Sequence, residues 1–228
     1  MLILGVDTSG KDGGIALVEF EQGNSRTLER VPLQGGTFSA QLVPQISELL
    51  QRHRVGKGDI DAFAVASGPG SFTGLRVGLA AIKALAEVLQ KPIAAVPLLE
   101  AVAGSSGIDG NVLAALDAGR GEVFVAGVYA SGTRATIRDQ QLLTSAEFIA
   151  LSSTWQIVTP DAKIAELARE HGLRVEQIDR PGADVIARLG FEKIRSGDVV
   201  SVESLDANYI RRSDAEVKKI GETTKMKF

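Results

Sequence analysis

Cysteine is absent from this sequence, and histidine occurs only at His53 and His171 in 228 residues. Without thiols there is no thiolate zinc site, no redox pair, no cysteine nucleophile and no disulfide framework. The two histidines are far apart and no H-x-x-x-H spacing occurs, so a metal site is not expected. Apolar runs of the roughly 18 residues needed to cross a membrane are also missing. The first apolar stretch, Leu2-Ile3-Leu4-Gly5-Val6, meets Asp7 at once and has no basic lead, unlike an export signal. A cytoplasmic location without membrane contact is the expectation. Positive charge is short as well: 25 Lys and Arg against 28 Asp and Glu give a net charge of −3. Phosphate neutralisation needs a basic surface, so nucleic acid would be held only together with a partner.

What is present is ordinary globular material, 44% hydrophobic and 23% charged. Its length suits one large domain or two small ones. Apolar periodicity predicts strands over 2–6, 15–20 and 27–33, then a helix over 39–54 in which Leu42, Val43, Ile46, Leu49 and Leu50 recur at helical spacing around Pro44. A strand over 62–66, a helix over 75–89 and a strand over 92–96 follow. The order then begins again. Val112-Leu113-Ala114-Ala115-Leu116-Asp117 repeats the pattern of Leu2 to Asp7 at an offset of 110, and each copy leads through a glycine-containing turn into a second apolar strand. The second copy continues with strands over 123–129, 136–142 and 156–158 and helices over 145–151 and 161–171. Two α/β domains arising by duplication are expected, 1–105 and 106–228, divided at the glycines around Gly104, Gly107 and Gly110.

An acid closing the first strand of each half resembles the actin, sugar-kinase and chaperone ATPase superfamily, where ATP lies in a cleft and the first hairpin turn of each half cradles phosphates. Asp7, Thr8, Ser9 and Asp117 therefore have two readings: a vestigial phosphate or nucleotide site, or Asx turns in which the carboxylate accepts from the next backbone amides.

The most informative loop is Gly68-Pro69-Gly70-Ser71-Phe72-Thr73-Gly74-Leu75-Arg76, between a strand and a helix. It has no Walker A register and no lysine, its G-x-G-x-x-x-G is one residue longer than a dinucleotide fingerprint, and no G-x-S-x-G elbow fits. A tight turn capped by Ser71 or Thr73 remains. The helix after it carries polar residues only at Arg76, Lys83 and Glu87, so it is expected to be covered on two sides. Leu75, Leu79, Ile82 and Ala86 share one face, and Val77, Ala81, Ala84 and Val88 share the other. With Ile46 and Leu50 of the preceding helix, the first set is the expected partner surface.

The segment from Gly68 to Gly78, Asp7-Thr8-Ser9, the run from Asp117 to Val123, and Asn208-Tyr209-Ile210-Arg211-Arg212-Ser213-Asp214-Ala215-Glu216 together resemble the TsaB (YeaZ) family of bacterial tRNA threonylcarbamoyladenosine biosynthesis proteins over essentially the whole chain. The resemblance implies a duplicated actin-like ATPase (ribonuclease H-like) fold that has lost much of its nucleotide site. It implies a non-catalytic accessory subunit that binds and activates TsaD, with TsaE as a further partner and ATP and magnesium used by the partner subunits rather than by this chain. A homodimer is expected when TsaD is absent, and tRNA contact only through the complex. The alternative is an ATP-dependent phosphotransferase of the sugar-kinase type, which needs a base near its acceptor and a glycine-lined adenosine pocket. Beyond Ile210, six basic residues face three acidic ones, a solvated tail or a weak attraction for tRNA within a complex.

Overall fold

The computed structural model describes residues 1–132, 134–208 and 210. Its first half runs β1 (Leu2–Asp7), β2 (Asp12–Glu21), β3 (Asn24–Gln34), α1 (Phe38–Arg52), β4 (Ala62–Gly68), α2 (Phe72–Leu89), β5 (Ile93–Pro97) and α3 (Leu98–Gly104). The second repeats that order as β6 (Gly110–Gly119), β7 (Glu122–Ser131), β8 (Arg134–Thr144), α4 (Ser145–Leu151), β9 (Gln156–Thr159), α5 (Ala162–Glu170), β10 (Val175–Gln177) and α6 (Ala183–Arg195). The sheets read β3-β2-β1-β4-β5 and β8-β7-β6-β9-β10. In each, the hairpin strands are antiparallel and the last three strands parallel.

Strand β1 shows why the core is arranged as it is. Every residue from Ile3 to Asp7 is buried, as a central strand covered on both faces must be. Leu4 and Val6 point to α1 and α2, whereas Ile3 belongs to a second cluster that includes α6. Gly5 shares the α6 side, and a Cβ there would lie 2.1 Å from the Ala183 carbonyl oxygen. Helix α6 is further tied to the first hairpin by Arg188, which donates to Ser25 Oγ and Thr27 Oγ1 and pairs with the buried Asp184 at 2.6 Å.

Two corrections follow. A cut at 105/106 does not separate self-contained units. Helix α3, from the first half, packs on β6, β7 and β8, while α6, from the second, packs on β1, β2, β4 and β5. Residues 198–208 also return to the first sheet: Val200 N donates to Ile93 O, and Leu205 is buried among the α1–α2 side chains. A sheet of this size needs a helix layer on each face, and each half takes one layer from the other. The sequence pattern predicts neither α3 nor β10 nor α6.

The second correction concerns the partner surface. Ile46, Leu50, Leu75, Leu79, Ile82 and Ala86 are all buried, packed with Leu4, Val6, Phe63 and Val65 of the first sheet. The sheet takes the face bearing the larger side chains because that face removes more apolar area from water. The opposite face of α2 looks outward: Ala80 and Ala84 are exposed, Val77 and Ala81 half-buried, and Val88 is 80% exposed. Val43 of α1, 56% exposed, is another outward apolar side chain. The basic tail, Tyr209 and the motif from Arg211 onward lie outside the described residues.

Candidate functional site

A cleft of about 930 Å³ opens between the two sheets at the carboxyl ends of their central strands, where α/β folds place ligands. One wall is built from Ser9, Gly10 and Lys11 after β1 and from Pro69, Gly70 and Ser71 after β4. The other comes from Asp117, Gly119 and Arg120 at the end of β6, with Asp161 just before α5.

Both first-strand acids form Asx turns. Asp7 Oδ1 accepts from Ser9 N at 2.8 Å and Ser9 Oγ at 2.6 Å, and Asp117 Oδ1 accepts from Gly119 N at 2.7 Å. The two differ in burial: Asp7 is 4% exposed, whereas Asp117 is exposed and lines the cleft. Asp161 is drawn to the second turn, its Oδ2 accepting from Asp117 N at 2.7 Å. Thr8 points inward, and its hydroxyl donates to Gly74 O at 2.8 Å, so it is engaged in holding α2.

That engagement explains the glycine loop. Ser71 N donates to Ser9 O at 2.7 Å, drawing the loop onto the first turn. A Cβ at Gly70 would lie 2.3 Å from Ser9 O, and one at Gly74 would lie 2.1 Å from Thr8 O. Gly68 has φ +104°, a conformation that favours glycine. Ser71, not Thr73, caps α2, its Oγ accepting from Gly74 N at 3.3 Å. Thr73 is exposed, and Arg76 stacks over the Phe72 ring at 3.8 Å.

Around the cleft stand four cations, Lys11, Arg76, Arg120 and Arg180, against the carboxylates of Asp117 and Asp161. Leu75, Leu116 and Phe124 contribute apolar surface between them. Such a lining suits an anionic group with an apolar body. Ser9, Asp117, Gly70, Ser71 and Arg76 of the expected site come together here, whereas Asp7 and Thr8 sit behind the surface as supports. Of the expected partner residues only Leu75 reaches the cleft. Asp161, Arg180 and Asn208 also line it and had not been singled out as site residues. Asp161 has a readable signal, an acid heading an apolar-periodic helix, and Asn208 opens one of the runs that carry the family resemblance, whereas Arg180 arrives from a loop with no local pattern.

Among the described residues, no three His, Cys, Asp or Glu side chains are grouped to hold a metal ion. His53 Nε2 contacts Glu29 Oε2 at 2.8 Å. Arg52 and then His53 hold the Glu29 carboxyl below its ordinary range by hydrogen bonding. His171 Nδ1 contacts Leu167 O on α5.

Comparison with known proteins identifies the arrangement. The model of a family described as "TsaD: tRNA N6-adenosine threonylcarbamoyltransferase" matches residues 35–214. The tRNA threonylcarbamoyladenosine biosynthesis protein TsaB of Escherichia coli is 30% identical, over 94% of this chain and 96% of its own length. The protein of the same name from Bacillus subtilis is 28% identical, over 96% and 97%. The solved structure of YeaZ from Pseudomonas aeruginosa superposes with a TM-score of 0.73 at 22% identity, covering 91% of this chain and 99% of its own. The fold is the duplicated two-sheet α/β arrangement shared with that YeaZ structure.

Proposed function

This chain belongs to the TsaB (YeaZ) family of tRNA threonylcarbamoyladenosine biosynthesis proteins, and we propose that within that pathway it is a non-catalytic accessory subunit that binds and activates TsaD. In this reading TsaD transfers the threonylcarbamoyl group to adenosine 37 of tRNAs reading codons that begin with A. TsaE joins the assembly in the cytoplasm, ATP and magnesium act on the partner subunits, and tRNA meets this chain only through the complex. The observation that carries the reading is the outward face of α2, where Val77, Ala80, Ala81, Ala84 and Val88 form a row of small and apolar side chains left over after the sheet is covered. Small residues allow close helix approach, so the same face serves TsaD and, when TsaD is absent, a second copy of this chain. The cleft's chemistry is compatible with a supporting role, because Thr8 and Asp7 are both committed to holding the loop and the turn.

The test is co-elution of this chain with TsaD, together with light scattering on the chain alone, for Ala84→Glu and Val88→Glu. A charge forced into a covered face costs several kcal/mol, so both complexes should be lost while circular dichroism stays native. Unchanged TsaD binding by both variants would move the partner surface elsewhere. The isolated chain is expected neither to turn over ATP nor to modify tRNA; turnover abolished by Asp7→Asn would revive the phosphotransferase reading.

A further inference from the structure

After α6 the chain is fastened back onto the first sheet. Val200 N donates to Ile93 O at 3.0 Å, Ser201 and Ser204 close a hydroxyl-bonded turn, Leu205 and Ala207 are buried, and Asn208 N donates to Ser67 O at 2.7 Å. The Asn208 side chain reaches in the other direction. Its Nδ2 donates to Gln140 Oε1 at 2.9 Å, and Gln140 Nε2 donates to Asn208 Oδ1 at 3.0 Å. Gln140 lies on β8, the edge strand of the second sheet. The two amides thus join the two sheets through a closed ring of two hydrogen bonds. A single bond tolerates swinging about its axis, whereas a reciprocal amide pair needs both separation and mutual plane to match.

The placement of this pair gives it leverage. Asn208 lines the cleft together with Pro69 and Gly70. Between the sheets, α3 and α6 share one apolar cluster that includes Leu99, Val102, Ile186 and Leu189, the packed joint between the lobes. Like the amide pair, which is solvent-exposed, the ion pair of Arg134 on β8 with Glu192 of α6 at 3.0 Å competes with water, but it lacks the matched plane of two reciprocal bonds. We infer that the Gln140–Asn208 amide pair is a latch that sets the aperture of the interlobe cleft. A ligand or partner that offers either amide a competing donor and acceptor releases it. This device stands apart from the pathway proposed above and holds or fails without it.

The absence of cysteine makes the test direct, since Lys57→Cys and Lys163→Cys place one nitroxide on each lobe at exposed positions that do not line the cleft. Double electron–electron resonance on the full chain, diluted with unlabelled protein, reads the lobe separation. Gln140→Glu keeps one hydrogen bond at neutral pH but sets a carboxylate oxygen against Asn208 Oδ1. It should raise the population of a longer separation about tenfold. Acidification below about pH 4 protonates the carboxyl, restores a donor and should return the distribution toward that of the parent at the same pH. Gln140→Leu and Asn208→Leu should each lengthen the separation, with the double variant no longer than either single, because all three remove the same pair. Parent-like distances in Gln140→Glu and Gln140→Leu, or additive single effects, would overturn the latch.

Discussion

At Gly78 the backbone of α2 passes so close to the first turn that a Cβ would lie 2.3 Å from Thr8 Oγ1. The threonine cannot yield easily, since its χ1 is restricted and its hydroxyl is bound to Gly74 O. Alanine at position 78 would gain up to about 1 kcal/mol of helix propensity and lose about 1–3 kcal/mol to overpacking. Gly78→Ala is therefore expected to destabilise the protein. Thr8→Ala alone should cost about 0.5–1.5 kcal/mol by removing a buried side-chain hydrogen bond to Gly74 O, a carbonyl that keeps its helical amide donor. In the double variant the clash is gone, so its loss should be smaller than the sum of the two singles. Urea denaturation of the four proteins measures this coupling, and strict additivity would mean that Gly78 does not bear on Thr8.

Helix α6 carries the same lesson at the level of an element. A Cβ at Gly190 would lie 2.3 Å from Ala64 Cβ on β4, so the glycine is what lets α6 lie against the sheet. Gly190→Ala should destabilise by about 1–3 kcal/mol despite its better helix propensity, read as a lowered thermal midpoint. The reason for that glycine lies 126 residues away in sequence, at Ala64, where no local pattern points to it. Helix α3 was illegible for a different reason: its seven residues LLEAVAG are buried nearly all round and end in glycine, leaving no amphipathic period to read. By contrast α1, α4 and α5, with one apolar stripe each, were readable to within a residue or two of their ends. The site divides along similar lines, for Asp7, Ser9 and Asp117 sit on repeated strand ends, whereas Asn208 and Gln140 meet only through the return of the chain. Where α3 and α6 approach, Glu100 lies 3.4 Å from Lys193 Nζ, which also donates to Asp198 at 2.9 Å. Burial pushes the Glu100 carboxyl above its ordinary 4.5, with Lys193 only partly opposing it. Burial alone would lower the Lys193 ammonium, but two carboxylates outweigh that and raise it. An acid whose folded value is raised binds its proton more tightly when folded, so stability falls as pH rises from about 4.5 through that raised value. Glu100→Gln should accordingly be more stable than the parent near neutrality, with the advantage shrinking as the pH falls toward 4.5. A pH-independent difference in urea midpoint would assign the effect to packing instead.

For the molecule as a whole, the exchange of α3 and α6 means that neither sheet can keep both of its faces covered if the other is lost. The apolar cluster between the sheets draws Ile3, Ala64 and Val96 from one, Val112, Phe124 and Val158 from the other, and both exchanged helices. Unfolding either lobe would expose this shared surface, at about 25 cal/mol for each Å² of apolar area. The duplicated halves are therefore expected to unfold as one cooperative unit although each has its own sheet. The single tryptophan of the chain, Trp155, packs in the second lobe against the cluster of Phe148 and Ile164, so its fluorescence reports that lobe alone. Ile82→Ala, a fully buried truncation in the first lobe, should cost about 2–5 kcal/mol. If the unit is cooperative, that substitution lowers the urea midpoint seen by Trp155 fluorescence as far as the midpoint seen by far-ultraviolet circular dichroism, at a fixed protein concentration because self-association would shift both. A fluorescence transition that stays at the parental midpoint while the dichroism transition moves would show two lobes melting separately, and the helix exchange would then be a matter of connectivity without an energetic bond between the halves.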